Sequence, residues 1–193
     1  MFFSILCSVA LNLGMITLLA GPPSAQSKRA PDPKAAAVVP GKESSMDNTF
    51  AKKAAEGGIA EVKFGQLAEE KGTSQAVKDF GKRMVADHTK ANEQLQKDAA
   101  QEKITLPTTM TNRDQIAYDR LSKLSGASFD RAYARDMVRD HRADIAEFET
   151  ESSSGHEQWT KTFASQTLPT LKEHLKQAEE MLHAVEPPKT HKS

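Results

Sequence analysis

From residue 47 to residue 185 apolar side chains recur every three or four positions, the period of helices that each bury one face. The spacing predicts a first helix over about 48–71, capped by Asp47 or Asn48 and stopped by Gly72. A second follows over about 74–102, with Ser74 as its cap. The stretch ITLPTTMTN then breaks the pattern at Pro107. Thr111 and Asp114 form a capping-box pair that opens a short helix over about 112–125, ended by Gly126. Ser128 opens a long helix to about 153, and the run from Ser152 to Gly155 interrupts the chain. Ser154 and Glu157 begin a last helix to about 184, in which Pro169 is expected to cause a kink. Four long helices with a connection of about 25 residues between the second and third predict an all-α four-helix bundle with one long crossover. That crossover carries the short extra helix. The second and third long helices then run parallel, opposed by the first and fourth.

The inward stripe of the second helix is Val77, Phe80, Met84, His88, Ala91 and Leu95, and that of the third is Phe129, Tyr133, Met137, His141, Ile145 and Phe148. These two segments also repeat. FGKRMVADHTKANEQL (80–95) and YARDMVRDHRADIAEF (133–148) align without gaps at an offset of 53 and share the core MVxDH. In the fourth helix Leu168, Leu171, His174, Ala178 and Met181 make the stripe. In the first, Phe50, Ala54, Gly57, Glu61, Phe64 and Ala68 line up, with Glu61 as the polar interruption. Gly57, Gly58 and Gly65 lie within one turn of Glu61 and are expected to allow close helix approach or to leave room for imidazole rings. At a rise of about 1.5 Å per residue, His88 and His141 fall about 21 and 20 Å from the top of the bundle, and Glu61 and His174 about 15 Å. Met84 and Met137 also fall near about 15 Å.

The ends of the chain differ from this body. Residues 2–20 are almost wholly apolar and uncharged, and small residues follow. They read as an export signal, cleaved after about Ala25, in preference to a retained membrane anchor, although no Lys or Arg precedes them. An exported, periplasmic or envelope-associated protein is therefore expected, touching a membrane only through this segment if it stays uncleaved. Residues 26–46, rich in Pro, Ala, Ser and Lys, read as a disordered linker, and 186–193 as a disordered tail, which leaves 47–185 as the folded domain.

Charge and cysteine content exclude several functions. Twenty-six basic residues balance 26 acidic ones, so no basic excess supports nucleic-acid binding. The single cysteine, Cys7, lies in the apolar N-terminus, so the folded part has no disulfide, thiolate zinc site or cysteine nucleophile. No Ser/His/Asp order, Gly-rich phosphate loop or HExxH pattern is present. One constellation remains. Three inward histidines, His88, His141 and His174, meet the carboxylate of Glu61 at similar depth, and imidazole with carboxylate suits Zn, Fe, Mn or Cu. The competing reading is a buried His/Glu hydrogen-bond network without metal, in a non-catalytic structural or interaction module. A redox enzyme at the same place would need an open coordination position. Met84 and Met137 read as core filling; as ligands they would favour Cu(I). Asp87 and Asp140 point about 100° away from the adjacent histidines and read as surface caps or ion pairs, whereas Asp144 is placed to accept from an imidazole N–H.

The segment AAEGGIAEVKFGQLAEEKGTSQAVKDFGKRMVADHTKAN, followed by FDRAYARDMVRDHRADIAEFE and TLPTLKEHLKQAE, resembles the bacterial family known as domain of unknown function 4142 over about 48–184. The resemblance implies a ferritin-like four-helix bundle on an exported protein, and it implies no established reaction. His88 and His141 fall in its MVxDH blocks, His174 in LPxLxxHL and Glu61 in GGxxEV. One feature departs from ferritin-like di-iron proteins, which carry Glu-x-x-His on two helices. Here Val85 and Val138 occupy the position three residues before His88 and His141, so a di-iron site and iron storage are not implied.

Overall fold

The computed structural model describes residues 40–186, with side chains from residue 46 onward. The apolar N-terminal segment, the linker up to residue 39 and the tail from residue 187 lie outside the described residues. Five helices occupy the described chain: α1 (Pro40–Lys71), α2 (Gln75–Gln101), α3 (Asn112–Ser122), α4 (Gly126–Ser154) and α5 (Gln158–Val185). Among the described residues there is no strand.

Helix α1 begins at Pro40, earlier than the expected start near 48 and inside the stretch read as linker. Proline suits a first helical turn, where its φ is already helical and its missing N–H would have had no partner. Asp47 is therefore within α1 and caps a different helix. Its carboxylate accepts the backbone N–H of His156 at 3.0 Å and of Glu157 at 2.6 Å, closing the start of α5. That bond set replaces the expected Ser154/Glu157 cap, since Ser154 ends α4 and α5 has no side-chain cap of its own. Asp130 on α4 does the same for the α1–α2 turn, accepting from the Thr73 N–H and hydroxyl at 2.9 Å each and from the Ser74 N–H at 2.8 Å. Ser74 and Thr111 cap α2 and α3 as the sequence predicts, through the N–H groups of Val77 and Asp114. Gly126 does not end α3, which stops at Ser122; it opens α4 with φ of +58°, preceded by Ser125 rather than Ser128. Helix α5 continues through Pro169.

The two capping carboxylates also fix direction. The start of α1 lies beside the α4–α5 turn, and the start of α4 beside the α1–α2 turn. Helices α2 and α4 therefore run the same way, α1 and α5 run against them, and one long crossover joins the two hairpins, as in ferritin-like bundles. Each hairpin packs most extensively on itself, while α2 meets α5 and α1 meets α4. In the crossover, α3 lies on α1 and α4: the Tyr118 ring stacks on Phe64, Leu121 is fully buried, and Arg120 pairs with the buried Asp136. Helices α1 and α2 touch through facing glycines. A Cβ on Gly65 would lie 2.6 Å from the Gly81 carbonyl oxygen, and one on Gly81 2.7 Å from that of Gly65.

The apolar core divides into two groups. One holds Phe64, Met84, Phe129, Tyr133, Met137 and Met181; the other holds Phe50, Leu95, Phe148, Phe163 and Leu171. Along α2, α4 and α5 a single histidine separates the two groups, and the matching stretch of α1 carries Gly57 and Gly58.

Candidate metal centre

His88 on α2, His141 on α4 and His174 on α5 occupy the layer between the two apolar groups, with 8%, 0% and 0% of their surface exposed. The offset of the repeated MVxDH segments places His88 and His141 at matching points of two parallel helices. The ring centroids lie 6.0 Å apart for His88 and His141, 5.3 Å for His88 and His174, and 5.4 Å for His141 and His174. One nitrogen from each ring lies within 4.8 Å of the other two. The Phe80 ring stands edge-on to both His141 and His174 and walls one side.

Acceptors outside the cluster orient two of the rings. His141 Nδ1 lies 2.9 Å from the Met137 carbonyl oxygen, which can only accept, so the proton sits on Nδ1 and the lone pair on Nε2. His174 Nε2 donates to Asp87 Oδ2 at 2.8 Å, which leaves its lone pair on Nδ1. Arg83 holds the same Asp87 oxygen at 3.2 Å. One nitrogen of each ring, His88 Nε2, His141 Nε2 and His174 Nδ1, is buried without a hydrogen-bond partner. Burial also depresses the basicity of all three rings. It takes His141 to about 4, with a contribution from the neighbouring His174. It holds His88 well below the ordinary value, reinforced by His141 and His174. For His174 burial prevails over the opposing pull of Asp87. Desolvation pushes the Asp87 carboxyl up, but the hydrogen bonds from His174 and Arg83 hold it below its ordinary value. The cluster is thus three neutral rings, and carbonyl or carboxylate support fixes a lone pair on the unpartnered nitrogen of two of them, His141 and His174. That is the usual second layer of a histidine metal site. Metal–nitrogen bonds of about 2.0 Å at tetrahedral angles need nitrogens about 3.4 Å apart, a modest inward motion of the rings. Beside His88 a cavity of about 40 Å³, lined by Gly57, Gly58, Asn92 and Leu171 among others, has room for a water molecule as a further ligand.

The expected fourth ligand lies elsewhere. Glu61 is buried and its Oε2 has no partner, yet it is not among the groups whose ligand atoms lie within 4.8 Å of one another. It lines a separate acidic pocket with Asp114, Asp140 and Asp144. Burial, and then the charges of Asp144, Asp140, Asp114 and Asp136, push its carboxyl well above the ordinary value. The reason is positional: level with the histidines α1 presents Gly57 and Gly58, and Glu61 projects towards the crossover. Asp144 also departs from expectation. It accepts from no imidazole and lies in the same pocket as Glu61; the carboxylate behind a ring is Asp87, reached from α5 across the helix interface. Asp140 is an ion-pair residue as expected, bound to Arg139 at 3.2 Å and Arg113 at 3.8 Å. Met84 and Met137 are fully buried members of the apolar core.

Comparison with known proteins agrees with the architecture. A crystal structure titled as a DUF305 fragment from Deinococcus radiodurans superposes with a TM-score of 0.64 at 12% identity, covering 72% of this chain and 95% of that one. At that identity the likeness shows a shared fold. No curated protein matches the chain significantly. Residues 30–181, which take in the whole histidine layer, match the domain of unknown function DUF4142, and the chain belongs to that family.

Proposed function

We propose that the protein binds one late transition-metal ion, Zn(II) or copper, through His88, His141 and His174, and that it handles this metal in the cell envelope. The observation that carries the reading is that three buried histidines bring ring nitrogens within 4.8 Å of one another and that each ring has a buried nitrogen without a partner. A self-contained hydrogen-bond network would pair those atoms with one another or with Glu61, and each of them lacks a partner. A buried polar atom left in that state costs about 1–3 kcal/mol, which a bound cation would offset three times over. Three imidazoles without a carboxylate suit Zn and Cu better than Mn. Because burial keeps the rings neutral, protons compete little with a metal at neutral pH. The small cavity beside His88 suits a water molecule rather than an organic substrate, which favours holding and transfer of the ion over catalysis. Export rests on the apolar residues 2–20; among the described residues no helix is long and apolar enough to cross a membrane.

Untagged protein, analysed for metals after purification and then titrated with Zn(II) and Cu(II), tests the site. One equivalent is expected for the natural chain and none for the variant with His88, His141 and His174 all changed to Leu. Failure of the natural chain to take up either ion would reject the reading. Cell fractionation with N-terminal sequencing tests the export.

A further inference from the structure

Between α1, α4 and the crossover lies a second cavity, about 430 Å³ in volume. Six carboxylates line it, those of Glu56, Glu61, Asp114, Asp140, Asp144 and Glu147, against two cations, Lys53 and Arg113. Both cations have partners already: Lys53 pairs with Glu147 at 2.9 Å and Arg113 with Asp140 at 3.8 Å. Carboxyl groups therefore outnumber cations in the lining, and Glu61 and Asp144, the most buried of them, hold protons that a cation can displace. Glu61 is the decisive group, since it lines this cavity with only 4% of its surface exposed and its buried Oε2 has no partner. The carboxylates do not form a preassembled inner coordination shell, because no three of them bring oxygens within 4.8 Å of one another. The volume instead leaves ample room for an ion that keeps its water, since six water molecules at about 30 Å³ each occupy about 180 Å³.

This cavity is continuous in its lining with the small one at the histidines. Lys53, Gly57, Asp144 and Glu147 border both, and His88 borders the inner one. Gly57 stands at the junction, and a Cβ placed there would meet nothing within 4 Å. The absent side chain is not required for helix packing, unlike those of Gly65 and Gly81, so its effect is to leave space between the two cavities.

We propose that the acidic cavity of Glu61 and Asp144 is a binding site for a hydrated divalent cation and the port through which it passes Gly57 to reach His88 and the other two histidines. The proposal rests on the metal reading above. Carboxylates concentrate the cation and draw it inward; it sheds water stepwise past Gly57; the softer imidazole nitrogens then take it over. Burial first, and then the neighbouring carboxylates, raises the Glu61 carboxyl well above its ordinary value and Asp144 to about 7, and an arriving cation would displace those protons.

The test is the rate of Co(II) loading into the full apo chain, followed by the visible absorption of the filled histidine site in a stopped-flow instrument. The double variant E61Q/D144N is expected to load about tenfold more slowly, with loss of the salt dependence that steering gives the natural chain. Gly57→Leu should also load about tenfold more slowly, by obstruction, while still filling to one equivalent; Gly57→Ala serves as the mild variant that folds if Leu does not. Unchanged loading rates in all three variants, with a natural chain that fills normally, would overturn the port alone. A natural chain that shows no Co(II) spectrum would overturn the metal centre and the port together.

Discussion

Each of the three core imidazoles is a base kept neutral by the absence of water, and this has a signed consequence for stability. In the unfolded chain such a ring takes up a proton near 6.5, whereas folded His141 does so only at about 4. Between those values the unfolded state binds more protons, so a fall in pH favours unfolding. The contribution is intact above 6.5 and lost by about 4, on the order of 3 kcal/mol for His141. Asp144 works the other way, since it stays protonated in the folded chain up to about 7 and ionises at 3.8 when unfolded. The clean measurement is therefore a difference. Metal-free natural protein and the triple His→Leu variant, melted in urea from pH 7 to pH 4, should diverge in favour of Leu as pH falls. Parallel curves would mean that the rings are charged or wet in the folded state. At this scale the sequence was informative about the histidines, because spacing of three and four puts all of them on inward stripes. Glu61 and Asp144 were misplaced because helix rise gives a height along the bundle and says little about direction around it. Asp87 reads as a surface cap or ion pair, and it does pair with Arg83, but its bond to His174 is not legible because that ring lies on another helix 87 positions away.

Helix starts in this fold are tied across the bundle. Asp130 satisfies three donors of the α1–α2 turn, and Asp47 satisfies two at the start of α5. Asp130→Ala leaves those donors in a partly buried place and should cost about 2 kcal/mol, more than the typical loss of about 1 kcal/mol for an ordinary local cap. Asp47→Ala should cost a similar or slightly smaller amount, since two donors are involved. Thermal melts of the two variants beside Ser74→Ala, which removes a local cap, check that ranking. Equal losses in all three would mean that the long-range bonds contribute nothing extra. Local capping chemistry was legible at Ser74 and Thr111, where cap and donor are three residues apart. It was not legible at the start of α5, whose acceptor lies more than one hundred residues earlier. The same limit explains α1. Its first turns read as linker in the sequence because Pro40 and the residues after it carry no apolar stripe, whereas in the fold Pro40 occupies a first helical position, which proline favours.

For the whole molecule, the order of helices and the long crossover were predictable from element lengths and one 25-residue gap, because few bundle connectivities accept such a gap. The partition of side chains between two sites was not, because Glu61 and the histidines differ by which neighbouring helices they face. One feature of that partition has a mechanical meaning. His88 belongs to the first hairpin, and His141 and His174 to the second. A shared ion would act as a rivet between halves that the peptide chain joins only through residues 102–125. If a protease site were engineered into the loop at 104–110 and cut, the two fragments, still held by the apolar groups they share, should need more urea to part when loaded than when stripped by a chelator. Metal supply would then set how firmly a severed molecule holds as one.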